Sequence, residues 1–132
     1  MITLAIDTST SRGSIALYSH QELLLEERFS AERSHTALLF GALERARAAV
    51  RSIDQVAIGL GPGSYAGVRI AISAAIGFEL ALGAVLLGLP SVAALETELP
   101  EYLTIGDARR DAGPADLEIR PGHHPAELRA WL

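Results

Sequence analysis

The sequence of 132 residues contains no cysteine and no lysine, and aromatic residues make up only 5% of it. The lack of cysteine excludes disulfides, thiolate metal sites and cysteine nucleophiles. All eleven basic side chains are arginines and the net charge is −5, which argues against a protein that holds nucleic acid by neutralising phosphates itself. The start, "MITLAIDTST", lacks the basic region of a secretory signal, so we expect a cytoplasmic protein.

A long apolar run extends from Ile70 to Leu95, and its length alone would suit a membrane span. Glu79, its one charged residue, lies near the middle, where a charge is costly in lipid. Gly83 and Pro90 also divide the run into a helix-length piece and a strand-length piece. The run therefore predicts a helix followed by a strand and not a membrane span.

The segments "ITLAID" and "GSIALYS" predict a hairpin, and "ELLLEERFS" as a third strand would extend it to an antiparallel meander, although its leucines and glutamates would also suit a helix. A helical period starts at Ser34, followed by a buried strand "DQVAIGLG", a helix over 66–82, a second buried strand "AVLLGL" and a short helix capped by Ser91. Buried strands that alternate with helices indicate a parallel sheet. Beyond Pro100 we expect a strand in "EYLTIGD", a turn-rich stretch and a terminal helix in "PAELRAWL".

The glycine turn "GLGPGS" follows a predicted strand and precedes a helix, which is the context of an anion site at a helix N-terminus. Gly61, Gly63 and Ala66 match the G-x-G-x-x-A variant of the dinucleotide fingerprint. However, no acidic residue for a ribose follows at positions 80–90, and no G-K-[ST] makes it a P-loop. A tight turn that needs glycine for its dihedral angles is the competing interpretation.

A second polar loop, "DTSTS" at 7–11, follows the first strand. Its aspartate and hydroxyls could hold a metal-bound phosphate, whereas an Asx-type turn is the structural alternative. The possible phosphate-binding residues of the two loops are Asp7, Thr8, Ser9, Gly61, Gly63 and Ser64.

The helix over 66–82 is apolar on both sides. The side expected to face the sheet carries Ile70, Ala71, Ala74, Phe78, Ala81 and Leu82. The other side carries Ile72, Ile76 and Leu80 beside Arg69, Ser73 and Gly77, where a surface helix should be polar. Because one small domain supplies one sheet, we expect a second chain to cover the outer side.

Five segments, "LAIDTSTSRGSIAL", "ERSHTALL", "GLGPGSYAGVRIAISAAIGFELALG", "GLPSVAAL" and "GDAR", closely resemble the TsaB (YeaZ) family in order and spacing. The similarity covers roughly residues 2 to 110. The resemblance implies an actin-like, ribonuclease-H-like lobe: an α/β fold with a mixed five-stranded sheet, an N-terminal antiparallel meander and helices on both faces. Residues 1–100 would form this lobe, and residues 101–132 a truncated remnant of a second lobe, loop-rich with a short C-terminal helix.

The resemblance also implies a function. TsaB proteins are non-catalytic partners of TsaD in forming threonylcarbamoyladenosine next to the tRNA anticodon, with a TsaE-type ATPase in the complex and tRNA contacted only indirectly. Association through the first two helices would place seven residues at the interface: Leu38, Ala42, Arg69, Ile72, Ser73, Ile76 and Leu80. A homodimer is possible when the partner is absent.

Catalysis is not expected from this chain. Where the sister TsaD family has two metal-binding histidines, this sequence has Ser91 and Leu95, so we expect no metal, no cofactor and no catalytic residue. The "DAR" motif lies close to the C-terminus, and an actin-like nucleotide site needs two lobes. The competing class is a small actin-like ATPase or a metallopeptidase-like enzyme of the glycoprotease family.

Overall fold

The computed structural model describes residues 1–30, 35–94, 102–106 and 115–119. The described residues form seven strands: β1 (Ile2–Asp7), β2 (Arg12–Ser19), β3 (Glu22–Ser30), β4 (Gln55–Gly59), β5 (Val85–Leu89), β6 (Tyr102–Gly106) and β7 (Ala115–Ile119). Two α-helices, α1 (His35–Ala49) and α2 (Tyr65–Leu82), and a short 3-10 helix (Ser91–Ala94) complete the described elements.

The main sheet has five strands in the order β3-β2-β1-β4-β5. β1, β2 and β3 form the expected antiparallel meander, and β1, β4 and β5 run parallel to one another. The parallel pairs are joined through helices, because a parallel connection needs a long crossover. The predicted mixed sheet and its meander are therefore confirmed.

One face of this sheet carries the core. Alternation along the strands brings large aliphatic residues to that face, including Leu4 and Ile6 of β1 and Ile15 and Leu17 of β2. They pack in one cluster with residues of both helices, among them Leu39 of α1 and Ala71 of α2. α1 and α2 thus lie side by side over the same face.

The expectation of helices on both faces is not met by α1 and α2. The opposite face of the sheet carries small or polar side chains such as Thr3, Ala5, Ala16 and Ala57, which are only partly buried. A face of this composition offers little apolar area, whereas the aliphatic face can bury two helices.

Both ends of α2 are capped. Ser64 has an extended backbone and its hydroxyl accepts a hydrogen bond from the Gly67 amide at 3.2 Å. At the other end, Gly83 adopts a left-handed conformation with φ of 70° and its amide bonds to the Glu79 carbonyl. The helix therefore begins and ends within a residue of the predicted bounds.

One local expectation differs in detail, and one strand was missed. The expected short helix begins as a 3-10 helix whose first residue is Ser91, so Ser91 is part of the helix and not its cap, and residues 95–100 lie outside the described part. β7 was missed, because "ADLEI" is a short alternation of apolar and charged residues inside a stretch dominated by turn residues. β7 pairs antiparallel with β6, the strand expected in "EYLTIGD". The expected terminal helix and the Ser34 cap also lie outside the described residues.

Candidate interaction surface and loop cluster

The two polar loops meet at the carboxyl edge of the sheet, since β1 and β4 are adjacent and parallel. Asp7 accepts a hydrogen bond from the Ser9 amide at 2.8 Å, which is the Asx-type turn. The Ser91 hydroxyl accepts from the Gly61 amide at 2.9 Å, and the Ser91 amide donates to the Gly61 carbonyl at 2.8 Å. The 3-10 helix after β5 is thus hydrogen-bonded to the glycine turn at this edge of the sheet.

The "DTSTS" loop and the glycine turn are held together by hydrogen bonds and close backbone contact. The Ser64 amide donates to the Ser9 carbonyl at 2.6 Å, and a Cβ on Gly63 would overlap that same carbonyl. Thr8 is fully buried and donates its hydroxyl to the Gly67 carbonyl at 2.7 Å. Thr8 Oγ1 and the Ser64 amide, two donors that a phosphate would use, are therefore engaged within the chain.

Metal ligands do not gather here. Among the described residues, no group of three histidine, cysteine, aspartate or glutamate side chains is placed to hold a metal ion. Ser91 already accepts the Gly61 hydrogen bond, and Leu95 lies outside the described part.

The outer side of α2 is apolar and exposed. Ile76 is 41% exposed and Leu80 82%, and both lie on the side of α2 that faces away from the sheet, with Arg69 and Ser73. Arg69 lies over the ring of Tyr65, with its guanidinium carbon 5.4 Å from the ring centroid, in cation–π geometry. This row of residues, from Arg69 to Leu80, is called the α2 ridge below.

An apolar groove of about 560 Å³ separates α1 from α2. Phe40 and Leu43 line it from α1, and Gly77, Phe78 and Leu82 line it from α2. Glu44 and Arg47 supply its charged side chains. Leu38, Phe40 and Leu82 are also substantially exposed, so α1 and α2 leave large apolar residues uncovered both in the groove and on the ridge.

Two of the residues expected at the interface are not fully exposed. Ala42 is fully buried, because it falls on the same stripe of α1 as Leu39 and Ala46 and packs into the core. Ile72 is partly buried and packs against the core from the side of α2. Leu38, Arg69, Ser73, Ile76 and Leu80 are exposed, and their part in an interface stays a prediction.

The sheet-facing assignment was wrong at the C-terminal end of α2. Ala81 and Leu82 were expected against the sheet but are exposed in the groove. α2 has 18 residues and spans about 27 Å, whereas β4 and β5 have 5 residues each and span about 17 Å. The C-terminal end of α2 therefore extends beyond the strands beneath it. Phe40 was not predicted as an interface residue, although a large aromatic residue outside the buried stripe of α1 can indicate a binding surface.

By length and composition, α2 is the one helix in the described part of the chain that could cross a membrane. Ala71, Ala74 and Ala75 are nevertheless buried in the core of the domain, so the helix packs as part of a globular fold.

A family model described as "TsaD: tRNA N6-adenosine threonylcarbamoyltransferase" matches residues 30–111, more than half of the chain. The chain belongs to this family, as a TsaB/YeaZ-type member. Its fold resembles YeaZ from Pseudomonas aeruginosa with a TM-score of 0.72 and 27% identity, over 93% of this chain and 69% of that one. The actin-like, ribonuclease-H-like lobe is thereby confirmed.

Relatives by sequence include the "tRNA threonylcarbamoyladenosine biosynthesis protein TsaB" of Haemophilus influenzae, 37% identical over 66% of this chain and 37% of that protein. An uncharacterized Mycobacterium tuberculosis protein is 32% identical over 81% of this chain and 54% of its own length. The chain thus spans between about a third and a half of these relatives' length.

Proposed function

We propose that this chain is a non-catalytic subunit in the formation of threonylcarbamoyladenosine on tRNA. Its role is to bind and support a TsaD-type catalytic subunit through the outer surface of α1 and α2. The names of its TsaB relatives support the pathway. The proposal rests on one observation in particular, the large apolar residues that α1 and α2 leave exposed on the α2 ridge and in the groove.

The surface has the composition of a protein interface. Its exposed apolar residues include Ile76 and Leu80 on the ridge and Phe40 in the groove, and the charged Arg69 lies on the same side of α2 as Ile76. Ser73 and Gly77 lie between the large side chains and would let a partner helix approach closely. The interface residues we propose are Leu38, Arg69, Ser73, Ile76 and Leu80, with Ile72 at the margin and Phe40 added.

We propose a non-catalytic role because of the hydrogen bonds that the "DTSTS" and "GPGS" loops make within the chain. The Thr8 hydroxyl donates to the Gly67 carbonyl and the Ser64 amide donates to the Ser9 carbonyl, so these two donors are engaged within the chain. Ser91 stands where the sister TsaD family has a metal-binding histidine. A TsaE-type ATPase would complete the complex, tRNA would be contacted only indirectly, and the complex would work in the cytoplasm. A homodimer through the same surface is proposed for conditions without the partner.

The domain division stays a proposal as well. We propose that residues 1–100 form the lobe that carries the interface and that residues 101–132 are a shortened counterpart of a second lobe. The competing function is a small ATPase or metallopeptidase-like enzyme. It is favoured by one observation, that Asp7 and the glycine turn meet at the carboxyl edge of parallel strands, where ligands of open α/β sheets bind.

The test is Ile76→Glu, assayed by titration against the TsaD-type subunit of the same organism. Burying an unpaired glutamate in an apolar interface costs several kcal/mol, so the affinity should fall about a thousandfold or more. Stability should change by less than about 0.5 kcal/mol, because Ile76 is exposed in the isolated chain.

Leu24→Glu on the edge strand β3 is the matched control, since Leu24 is 43% exposed and Ile76 41%. It should leave the affinity unchanged. Equal losses from both variants, or no loss from Ile76→Glu, would contradict the proposed interface. Ala71→Glu, at a fully buried site, should unfold the chain and marks what a folding defect looks like in the same assay.

A further inference from the structure

The loop after β1 makes its main contacts with the first turn of α2. The Thr8 hydroxyl donates to the Gly67 carbonyl at 2.7 Å, and the Ser64 amide donates to the Ser9 carbonyl at 2.6 Å. Thr8 is fully buried and Ser9 nearly so, which makes them the buried polar residues among those described. Buried polar groups are usually hydrogen-bonded, and here the Thr8 hydroxyl and the Ser9 carbonyl both bond to the start of α2.

The same contact is sterically tight. A Cβ on Gly67 would overlap the carbonyl oxygen of Thr8, and a Cβ on Gly63 would overlap that of Ser9. The loop backbone therefore lies directly against the backbone at the start of α2, with no side chain between them. Such a contact fixes both the height of the helix above the sheet edge and its rotation about its own axis.

A rotation of the first turn of α2 would also turn the α2 ridge, because both belong to one helix. Ile76 lies nine residues beyond Gly67, or about 14 Å along the same uninterrupted helix. The buried residues of α2 are small, namely Gly67, Ala71, Ala74 and Ala75, and its larger residues Ile70, Ile72 and Phe78 pack against the core while only partly buried. Because small side chains give few interlocking contacts, the contact at the first turn adds to what holds the rotation of α2.

We propose that Thr8 is a positioning residue for the partner-binding surface: its hydroxyl holds the first turn of α2 so that Ile76 and Leu80 are presented in one orientation. This inference rests on the proposed function, because the surface that Thr8 positions is the proposed interface. It also gives the "DTSTS" loop a role that requires no phosphate. The loop acts on the partner through the helix and does not touch the partner itself.

The test compares Thr8→Val with Thr8→Ser in titrations against the TsaD-type subunit. Valine keeps the shape of threonine but cannot donate to the Gly67 carbonyl, whereas serine keeps the hydroxyl. Thr8→Val should weaken binding about fivefold to tenfold, the low end of typical coupling between sites, and Thr8→Ser should stay within about twofold of the wild type. Hydrogen exchange at the Val68 amide, bonded to the Ser64 carbonyl in the first turn of α2, should accelerate in Thr8→Val only.

Ile53→Val is the control for simple loss of stability. Ile53 is buried just before β4, at the opposite edge of the parallel strands, so the variant destabilises the core away from the start of α2. It should lower the melting temperature as Thr8→Val does but leave the affinity within about twofold of the wild type. A Thr8→Val chain that binds as tightly as wild type, or an Ile53→Val chain that loses as much affinity, would overturn the inference.

Failure of the wild-type chain to bind is a different result. Such a failure would contradict the proposed function, and Thr8 would then have no partner-binding surface to position. The exchange measurement would still report whether Thr8 holds the start of α2, since it needs no partner.

Discussion

Arg45 of α1 and Glu27 of β3 form a bidentate ion pair. Arg45 Nε donates to Glu27 Oε1 and Arg45 Nη2 donates to Glu27 Oε2, both at 2.6 Å. The hydrogen bond from Arg45 lowers the pKa of Glu27 below its ordinary value of 4.5, and it raises the pKa of Arg45 in turn. The pair ties the first helix to the edge strand of the sheet.

This pair predicts a pH dependence of stability. Because the folded pKa of Glu27 is lowered, its contribution is fully present above the unfolded pKa and is lost as the pH falls through the folded value. Glu27→Gln should therefore lower the urea midpoint slightly at about pH 7 and leave it unchanged at about pH 2, where the wild-type carboxyl is protonated. Arg45 is largely exposed, so the effect is small. Glu22→Gln, on the same strand, is the control and should show no such difference; a pH-independent loss in Glu27→Gln would contradict the ion-pair account.

Gly67→Ala should strongly destabilise the domain. The added methyl group would overlap the Thr8 carbonyl oxygen, and backbone atoms on both sides leave little room to relax. Overpacking of this kind costs about 1–3 kcal/mol, which a urea denaturation curve at neutral pH measures directly. A variant as stable as the wild type would mean that the start of α2 and the loop after β1 are not held together as described.

Much of the fold follows from local pattern. The bounds of α2 could be predicted because Ser64 and Gly83 supply both caps, and the meander could be predicted because β-branched runs alternate with turn residues. The parallel pairing of β4 and β5 followed from their continuous apolar runs.

Periodicity alone could not place residues whose surroundings depend on tertiary geometry. Leu82 has the helical phase of a buried residue, yet it is exposed because the sheet ends before the helix does. Ala42 was assigned to the interface as a residue beside the buried stripe of α1, but its position between Leu39 and Ala46 buries it. The closed junction between Ser9 and Ser64 depends on a contact 55 residues apart in sequence, which no local pattern contains.

Free ATP should bind only weakly. The Ser64 amide and the Thr8 hydroxyl are bonded within the chain, so a phosphate would have to break those bonds before it could use the glycine turn. A micromolar dissociation constant corresponds to about 8 kcal/mol, which this arrangement does not supply. Calorimetric titration of the isolated chain with ATP and magnesium should therefore show no saturation in the micromolar range. Micromolar binding that is lost in Asp7→Ala would favour the ATPase alternative instead.

Gly77→Ala should raise stability and weaken partner binding at once. Gly77 lies on α2 between the ridge and the groove, and nothing in the described structure lies within 4 Å of a Cβ built there. Alanine in place of an exposed glycine inside a helix stabilises by about 0.5–1 kcal/mol, so the thermal midpoint should rise. A partner helix packed closely on Ser73 and Gly77 would meet the new methyl group, and the titration should show weaker binding.

Gly41→Ala on α1 separates the two effects. A Cβ at Gly41 would make only an ordinary contact with the Arg45 side chain, so this variant should also gain stability from helix propensity. Gly41 is not among the residues that line the groove, and its substitution should leave the affinity unchanged. If both variants gain stability and neither loses affinity, the partner does not pack against the small residues of α2, because a helix in close contact there cannot accept an added methyl group without moving away.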